Sequence, residues 1–542
     1  MKSNLTFRLL SLVLAASLML QGCGGGEGAP TATPSTGSSA NPSEINPSAG
    51  QPAGVPSGTT PTAPMPTDLV YADAVPSSAS LFSLGSSRWL VSNLIAESSA
   101  IRLAATGSNA YAGWVELDKR TPGGATSTGR LKLASVSQTA WNVGTASISA
   151  GGLVEGRGLA IAASEQAGGA IAAWVEYAMA ANGTEWRIRS APFGAGGVSA
   201  VTEVFTLPDT SAARVDKLLV RFNADGSPEI FWLVQTWRAG TGEVGSSALW
   251  RAVRAGAGWQ ASQLRHVSKG TIDDLTAWGG DTSGQSGLAW LERVGSSTKL
   301  MTAPAASLPQ GQPTMLATAA AITEVQSSMS SGLVALAWRA SECTGSIRQT
   351  TSSTVKPLAV ATAAITTFTT CLSVREGSSP WKDARTLGTL TSSEFDTSAV
   401  AVRPSGEILV VWSGEIGAYK QVAAASCTTN LCSPASTLAT PNMGPIARAA
   451  VTSTTSGFAV SWVDIDPYAQ NLTATQFVRM TAAGAMVGLP NPVRGVFYGS
   501  GMSPTNKEPM LVATGDSVLL GWRTERFNTD ATSDFNAAWI AP

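Results

Sequence analysis

Four carboxylates hold equivalent places in a recurring pattern. Glu116, Glu176, Glu292 and Asp464 each stand two residues after a tryptophan: Trp114, Trp174, Trp290 and Trp462. Side chains two apart on a strand share a face, so all four are expected near one rim of whatever the strands build. A rim of carboxylates could hold a cation or polarise a sugar; the plainer alternative is a solvated strand end. Cleaving a glycosidic bond needs two carboxyl groups roughly 5–10 Å apart across a pocket, and spacing along the chain does not place such a pair. Other chemistries are narrowed by counts. His266 is the only histidine among 542 residues, which excludes triads with two histidines, multi-histidine zinc sites and most histidine relays. Its position after Trp259 reads as structural. Asp464-Ile465-Asp466 could open a calcium loop, but the continuation of that pattern is missing. No catalytic residue, metal site or cofactor is assigned.

The elements that must position these side chains show in a repeat. A run of small or apolar residues ends in Trp eight times, at 114, 174, 232, 290, 338, 412, 462 and 522, with successive spacings of 60, 58, 58, 48, 74, 50 and 60. A short apolar strand and a turn precede each run, as in Leu218–Phe222 followed by Asn223-Ala224-Asp225-Gly226. An alternating strand follows each, as in Arg130–Ala134, Trp186–Ser190, Leu249–Val253 and Gln476–Met480. Several copies add a fourth strand with a second tryptophan: Trp141, Trp259 and, after an insertion, Trp381. Four short antiparallel strands repeated at this period predict an all-β fold, a single β-propeller over 68–542. Eight blades is the expected number. Seven is the alternative, because the spacings of 48 and 74 are irregular; an array of β-sandwiches is third. The last copy stops after its third strand, and an orphan strand, Arg88–Ile95, precedes the first copy. If that strand completes the last blade, the ring is closed by both ends of the chain. The repeat tryptophans are expected to fill the space between blades.

The N-terminus resembles a bacterial lipoprotein signal. Lys2 and Arg8 precede the apolar run Leu9–Leu20, which ends in Leu20-Gln21-Gly22-Cys23. The resemblance implies a signal peptide over 1–22, acylation of Cys23 and anchoring in a membrane. Gly24 after the cysteine implies sorting to the outer membrane of the cell envelope. Residues 24–67 are rich in Gly, Ala, Pro, Ser and Thr and too poor in large apolar groups to fold. They form a tether spanning about 35–40 Å as a coil. The whole resembles an outer-membrane propeller lipoprotein. The repeats of quinoprotein propellers, the sialidase Asp box and the WD40 and kelch patterns are absent, so the resemblance implies fold and not function.

Five cysteines make one lipid site plus four. Export permits disulfides, and the expected pairs are Cys427–Cys432, across a hairpin turn, and Cys343–Cys371, pinning the insertion of the fifth blade; free buried thiols are the alternative. Charged residues make up 13% and the net charge is −1, so no basic stripe for nucleic acid exists. The polar loops expected after the second strands are Leu117–Gly129, Gln235–Ser247, Asp464–Leu472 and Thr524–Asp534. In propellers such loops line one mouth of the channel. Trp237, Arg238, Tyr468 and Arg526 are therefore the expected ligand contacts, since aromatics and arginine dominate contact energies. The expected function is a monomeric, lipid-anchored binding or scaffold protein with a protein or glycan ligand. The alternatives are a polysaccharide-acting enzyme using rim carboxylates and a purely structural envelope protein.

Overall fold

The tryptophan-ended runs are apolar throughout because both of their faces are covered. In the strand Pro228–Trp237, Ile230, Trp232 and Val234 pack against the preceding sheet, and Phe231 and Leu233 against the following one. A strand buried on one face alone would alternate. The computed structural model describes residues 101–117, 129–137, 141–148, 153–180, 183–208, 213–238, 244–279, 286–308, 310–343, 367–391, 397–416, 419–439, 447–466, 469–493, 505–525 and 532–542, with the strands at 82–84 and 87–95.

These strands form antiparallel meanders in chain order, all within the unit Val70–Pro542. Blades 1 to 8 cover 101–146, 153–208, 213–267, 271–319, 322–391, 398–437, 447–493 and 505–540. Blades 5 and 6 also share one bridging pair, Thr391 with Glu415. Apart from one 3-10 turn, Ala305–Ser307, the described residues hold no helix. The eighth sheet contains three strands of its own copy. Ser87–Ile95 lies beside the third of them, Thr532–Ile540, in the fourth position.

Eight apolar clusters fill the spaces between consecutive blades. Each repeat tryptophan is at most 1% exposed and faces the blade before it. Trp114 of the first blade packs with Leu519, Ala537 and Trp539 of the last. A row of sheets whose first member is covered by its last is a ring. The first strands touch one another in the same cyclic order, from Ile101–Ala105 round to Thr505–Thr514 and back, and so form the innermost layer. The number of blades is therefore eight, not seven.

The long 338–412 spacing comes from the segment between the second and third strands of blade 5, which the Cys343–Cys371 disulfide closes across 28 residues. Cys427–Cys432 closes the turn after the third strand of blade 6. One expectation changes. In blades 3 and 7 much of the polar stretch after the second strand continues as strand: Gln235, Thr236 and Trp237 remain paired with Ser247, Ser246 and Val244, and the strands of blade 7 run to Asp466 and resume at Ala469. Ladder hydrogen bonds satisfy the backbone whatever the side chain, so polar composition alone does not end these hairpins.

Candidate functional site

In an antiparallel meander, the start of the first strand, the end of the second, the start of the third and the end of the fourth share one side of the sheet. On this side of the ring, the rim face, the first strands are irregular. Register shifts fall between Val154 and Leu159, Val215 and Leu218, Ile272 and Asp274, Ile322 and Glu324, Ala447 and Ala450, and Lys507 and Met510. A bulge interrupts the ladder and leaves a backbone group unpaired. Side chains of the neighbouring blade accept from backbone N–H groups at or near the starts of first strands. Asp274 Oδ2 of blade 4 accepts from Val325 N of blade 5 at 3.0 Å. Glu324 Oε2 of blade 5 accepts from Ser398 N and Oγ of blade 6 at 2.7 and 3.1 Å. Thr397 Oγ1 accepts from Ala449 N of blade 7 at 3.0 Å. Lys217 of blade 3 donates to Asp274 Oδ1. Each link runs from one blade to the next, so the channel mouth is a chain of clasps.

Burial pushes the Glu324 carboxyl above its usual range, and the Asp274 charge adds to the rise; the Ser398 donors and the Arg339 guanidinium oppose it. Arg339 is Glu324's cross-strand partner and is buried. Two carboxyls on adjacent innermost strands are the kind of pair a hydrolase uses. Here, however, their oxygens are engaged by lysine, backbone N–H, hydroxyl and, at 3.3 Å, the amide of Gln326. What they do in this geometry is fix the first strands.

Two of the carboxylates that follow the tryptophans by two residues, Glu176 and Glu292, are placed inside the blade junctions. Glu176 is fully buried and accepts from the Trp174 indole at 2.7 Å and from Arg189 at 3.4 Å. Glu292 is 4% exposed. It accepts from the Trp290 indole at 2.8 Å and, through both oxygens, from Arg265 of blade 3 at 2.7 and 3.0 Å. Asp464 is buried near the end of its strand. Glu116 lies on the strand Ala110–Leu117, but its side chain, Tyr468 and Arg526 lie outside the described residues. His266 is exposed on the outermost strand of blade 3.

Aromatic groups stand at the rim itself. Trp237 ends the second strand of blade 3, half-buried, with the Arg214 guanidinium 4.4 Å from its ring centre; Arg238 beside it is exposed. On blade 2 the half-buried rings of Tyr177 and Trp186 lie 4.9 Å apart. An indole with a guanidinium beside it offers a flat apolar surface and directional donors, suited to a sugar face or a peptide. Sequence reasoning found Trp237 and Arg238 but missed Arg214, Tyr177, Trp186 and the clasp residues Lys217, Asp274 and Glu324. The available signal was a polar doublet before the apolar part of several first strands: Asp216-Lys217, Asp273-Asp274 and Thr323-Glu324.

No family model matches the chain, and no curated protein does. Among solved structures, Chaetomium thermophilum Sqt1 bound to the N-terminus of a ribosomal protein is similar at 11% identity and a TM-score of 0.41, over 82% of this chain and 98% of that one. An ulvan lyase, a polysaccharide lyase, is similar at 10% and 0.40, over 73% and 96%. A Penicillium chrysogenum α-L-arabinanase complexed with arabinobiose is similar at 10% and 0.31, over 59% and 92%. These likenesses are too distant to transfer a ligand or a reaction, so what the site can do follows from its own residues.

Proposed function

We propose that the chain is a lipid-anchored protein of the cell envelope that displays its propeller as a binding scaffold for a protein or a glycan, with the ligand on the rim face. One observation carries this reading. The acidic groups at the channel mouth and in the junctions of blades 2 and 4 are held by the ring's own donors, whereas Trp237, Arg214 and Arg238 stand at the rim. A fixed ring with contact groups at its edge suits recognition better than turnover. The sequence Leu20-Gln21-Gly22-Cys23 and the segment 24–67 support acylation and a flexible tether, and Gly24 supports the outer membrane. The propeller acts as a monomer, and the strand Ser87–Ile95 fastens the ring.

The test is recovery of partners from envelope extract on residues 68–542, beside Trp237→Ala and Arg238→Ala variants. Loss of one partner with both variants is expected; equal recovery removes the rim from consideration. Hydrolysis of a glycan by the wild-type chain, abolished by Glu324→Gln, overturns the scaffold reading in favour of an enzyme. Acylation is tested by metabolic labelling with a fatty-acid analogue, which Cys23→Ala should abolish.

A further inference from the structure

The two disulfides of the ring are unlike. Cys343 and Cys371 stand 28 residues apart, and Cys371 is fully buried between blades 4 and 5. Cys427 and Cys432 stand 5 residues apart. They close the turn after the third strand of blade 6 on the far face, the side of the ring opposite the rim, where first strands turn into second and third into fourth. A bridge across so short a loop removes little freedom from the unfolded chain, so stability explains it poorly. The turn also has ties of its own. Thr428 N donates to Leu431 O at 2.7 Å and Ser433 N to Ser426 O at 2.8 Å. The N–H groups of Asn430 and Leu431 donate to Thr428 Oγ1 at 3.3 and 3.2 Å. Lys382 of blade 5 donates to Asn430 Oδ1 at 2.8 Å. None of these bonds needs the bridge, so an open pair would stay side by side, ready to close again.

The two sulfurs have different surroundings. Cys427 is buried in the apolar cluster between blades 5 and 6, with Leu390 and Trp412. Cys432 is partly exposed at the edge of that cluster. Arg385 of blade 5 donates to the carbonyls of Thr428, at 2.9 Å, and Thr429, and its Nη1 lies 3.8 Å from Cys432 Sγ. Among the described residues no carboxylate pairs with this guanidinium, and burial holds it below its usual value. Its charge is therefore left to act on the sulfur. A cation beside a cysteine favours the thiolate and lowers its pKa from about 8.5. Among the described residues, no other cysteine sulfur has an arginine or lysine at this distance.

We propose that Cys427–Cys432 is a site of reversible thiol–disulfide exchange, with Cys432 as the sulfur that meets an outside dithiol. A thiolate of the dithiol attacks Cys432 Sγ. The Cys427–Cys432 bond breaks, its electron pair passes to Cys427, and that sulfur takes a proton from solvent. The second thiol of the dithiol, as thiolate, then attacks its own first sulfur and expels the Cys432 thiolate beside Arg385. The dithiol leaves as a disulfide, and two electrons have passed to the cysteine pair. The reverse sequence hands them to an oxidised partner. The site lies away from the rim and needs neither the ligand nor the anchor proposed above.

The test uses the full chain in graded ratios of reduced to oxidised dithiothreitol at pH 8.5, with acid quench, alkylation and peptide mapping. Opening of Cys427–Cys432 while the circular dichroism of the ring is unchanged is expected. Opening only once the ring unfolds overturns the proposal. A thiolate stabilised by one pKa unit favours the open pair by about fivefold at this pH. Arg385→Met should therefore raise the ratio needed several-fold, and Arg385→Lys should restore it; an unchanged ratio in Arg385→Met overturns the proposal. In a second arm, Cys427→Ser leaves Cys432 as a thiol, and its alkylation rate by iodoacetamide is followed against pH. A midpoint about one unit below 8.5 is expected. A midpoint at or above about 8.5 overturns the assignment of Cys432 as the exchanging sulfur.

Discussion

Glu229→Gln is the sharpest test of how polar groups hold this ring. Glu229 is 1% exposed at the start of the second strand of blade 3. Arg221 donates to its Oε2 through Nε at 2.9 Å and through Nη2, and Arg251 donates to Oε1. Both arginines also reach blade 4: Arg221 donates to the carbonyls of Trp278 and Gly287, and Arg251 to that of Ala305. Burial alone would push the Glu229 carboxyl up. The Arg221 charge and the hydrogen bonds from Arg251 and Arg221 outweigh it and hold the group below its usual range. Glutamine keeps the shape but leaves two guanidinium charges in the interior without their anion. Breaking a buried ion pair in this way costs about 3–5 kcal/mol. With an unfolding entropy of about 2.1 cal/mol/K per residue over roughly 440 residues, that lowers Tm by about 3–5 °C. A carboxyl with a depressed folded value stabilises above its unfolded pKa, and the contribution is lost as pH falls through the folded value. The gap between wild type and variant should therefore be full at about pH 7 and narrow below about pH 4. Scanning calorimetry at both pH values measures it. Glu407→Gln, which removes the partly exposed Arg403–Glu407 pair, serves as a control worth about 0–1 kcal/mol. A Glu229→Gln variant melting with the control, or a gap that does not shrink in acid, refutes the reasoning.

Three other perturbations have defined outcomes. Glu324 has a raised folded value, so it binds its proton more tightly in the folded state and costs stability as pH rises above the unfolded value of 4.5. Glu324→Gln, which keeps an acceptor for Ser398, should match wild type in acid and equal or exceed it at neutral pH in urea titrations. Replacing Cys343 and Cys371, 28 residues apart, by serine should cost about 3–4 kcal/mol, against about 2 kcal/mol for Cys427 and Cys432; non-reducing peptide mapping checks the pairs and chemical denaturation the ranking. Val91→Pro, opposite Asn536 in the proposed fastening strand, should destabilise the ring by on the order of 2–3 kcal/mol through a lost ladder bond and a fixed φ. A variant that melts with wild type removes the strand from the ring.

The ring was legible because its most repeated residue answers to one constraint. A strand covered on both sides is apolar along its middle, and Trp232 or Trp290 there fills the gap to the preceding blade; that need recurs wherever a blade does. The strand limits were less legible, because Gln235, at 7% exposure, shows that a polar residue can continue a ladder inside the body. The recurrence of Glu176 and Glu292 was visible, yet their roles were not. The groups that define them are an indole two residues earlier and, for Glu292, an arginine on another blade. The clasps at the mouth were hidden for a different reason. A bulge shifts the register within one strand, so periodicity does not say that Asp274 faces Val325 N or that Glu324 faces Ser398 N.

These ties are unevenly spread round the circle. The junction of blades 3 and 4 has ionic contacts at three depths: Arg221 and Arg251 reaching carbonyls near the far face, Lys217–Asp274 at the mouth and Arg265–Glu292 on the outer side. The junction of blades 8 and 1 includes an apolar cluster with Trp114, Trp141 and Trp539. Most blades pair strands that are neighbours in sequence, and their loops close at little entropic cost. In the proposed closure the eighth pairs Ser87–Ile95 with Thr532–Ile540 from the other end of the chain, and closing that loop would order the whole body between them. In arrays where each unit leans on its neighbours, opening begins at the junction with the weakest terms. Loss of the proposed fastening strand Ser87–Ile95 would bare the edge of Thr532–Ile540, so opening is expected to begin at the eighth blade.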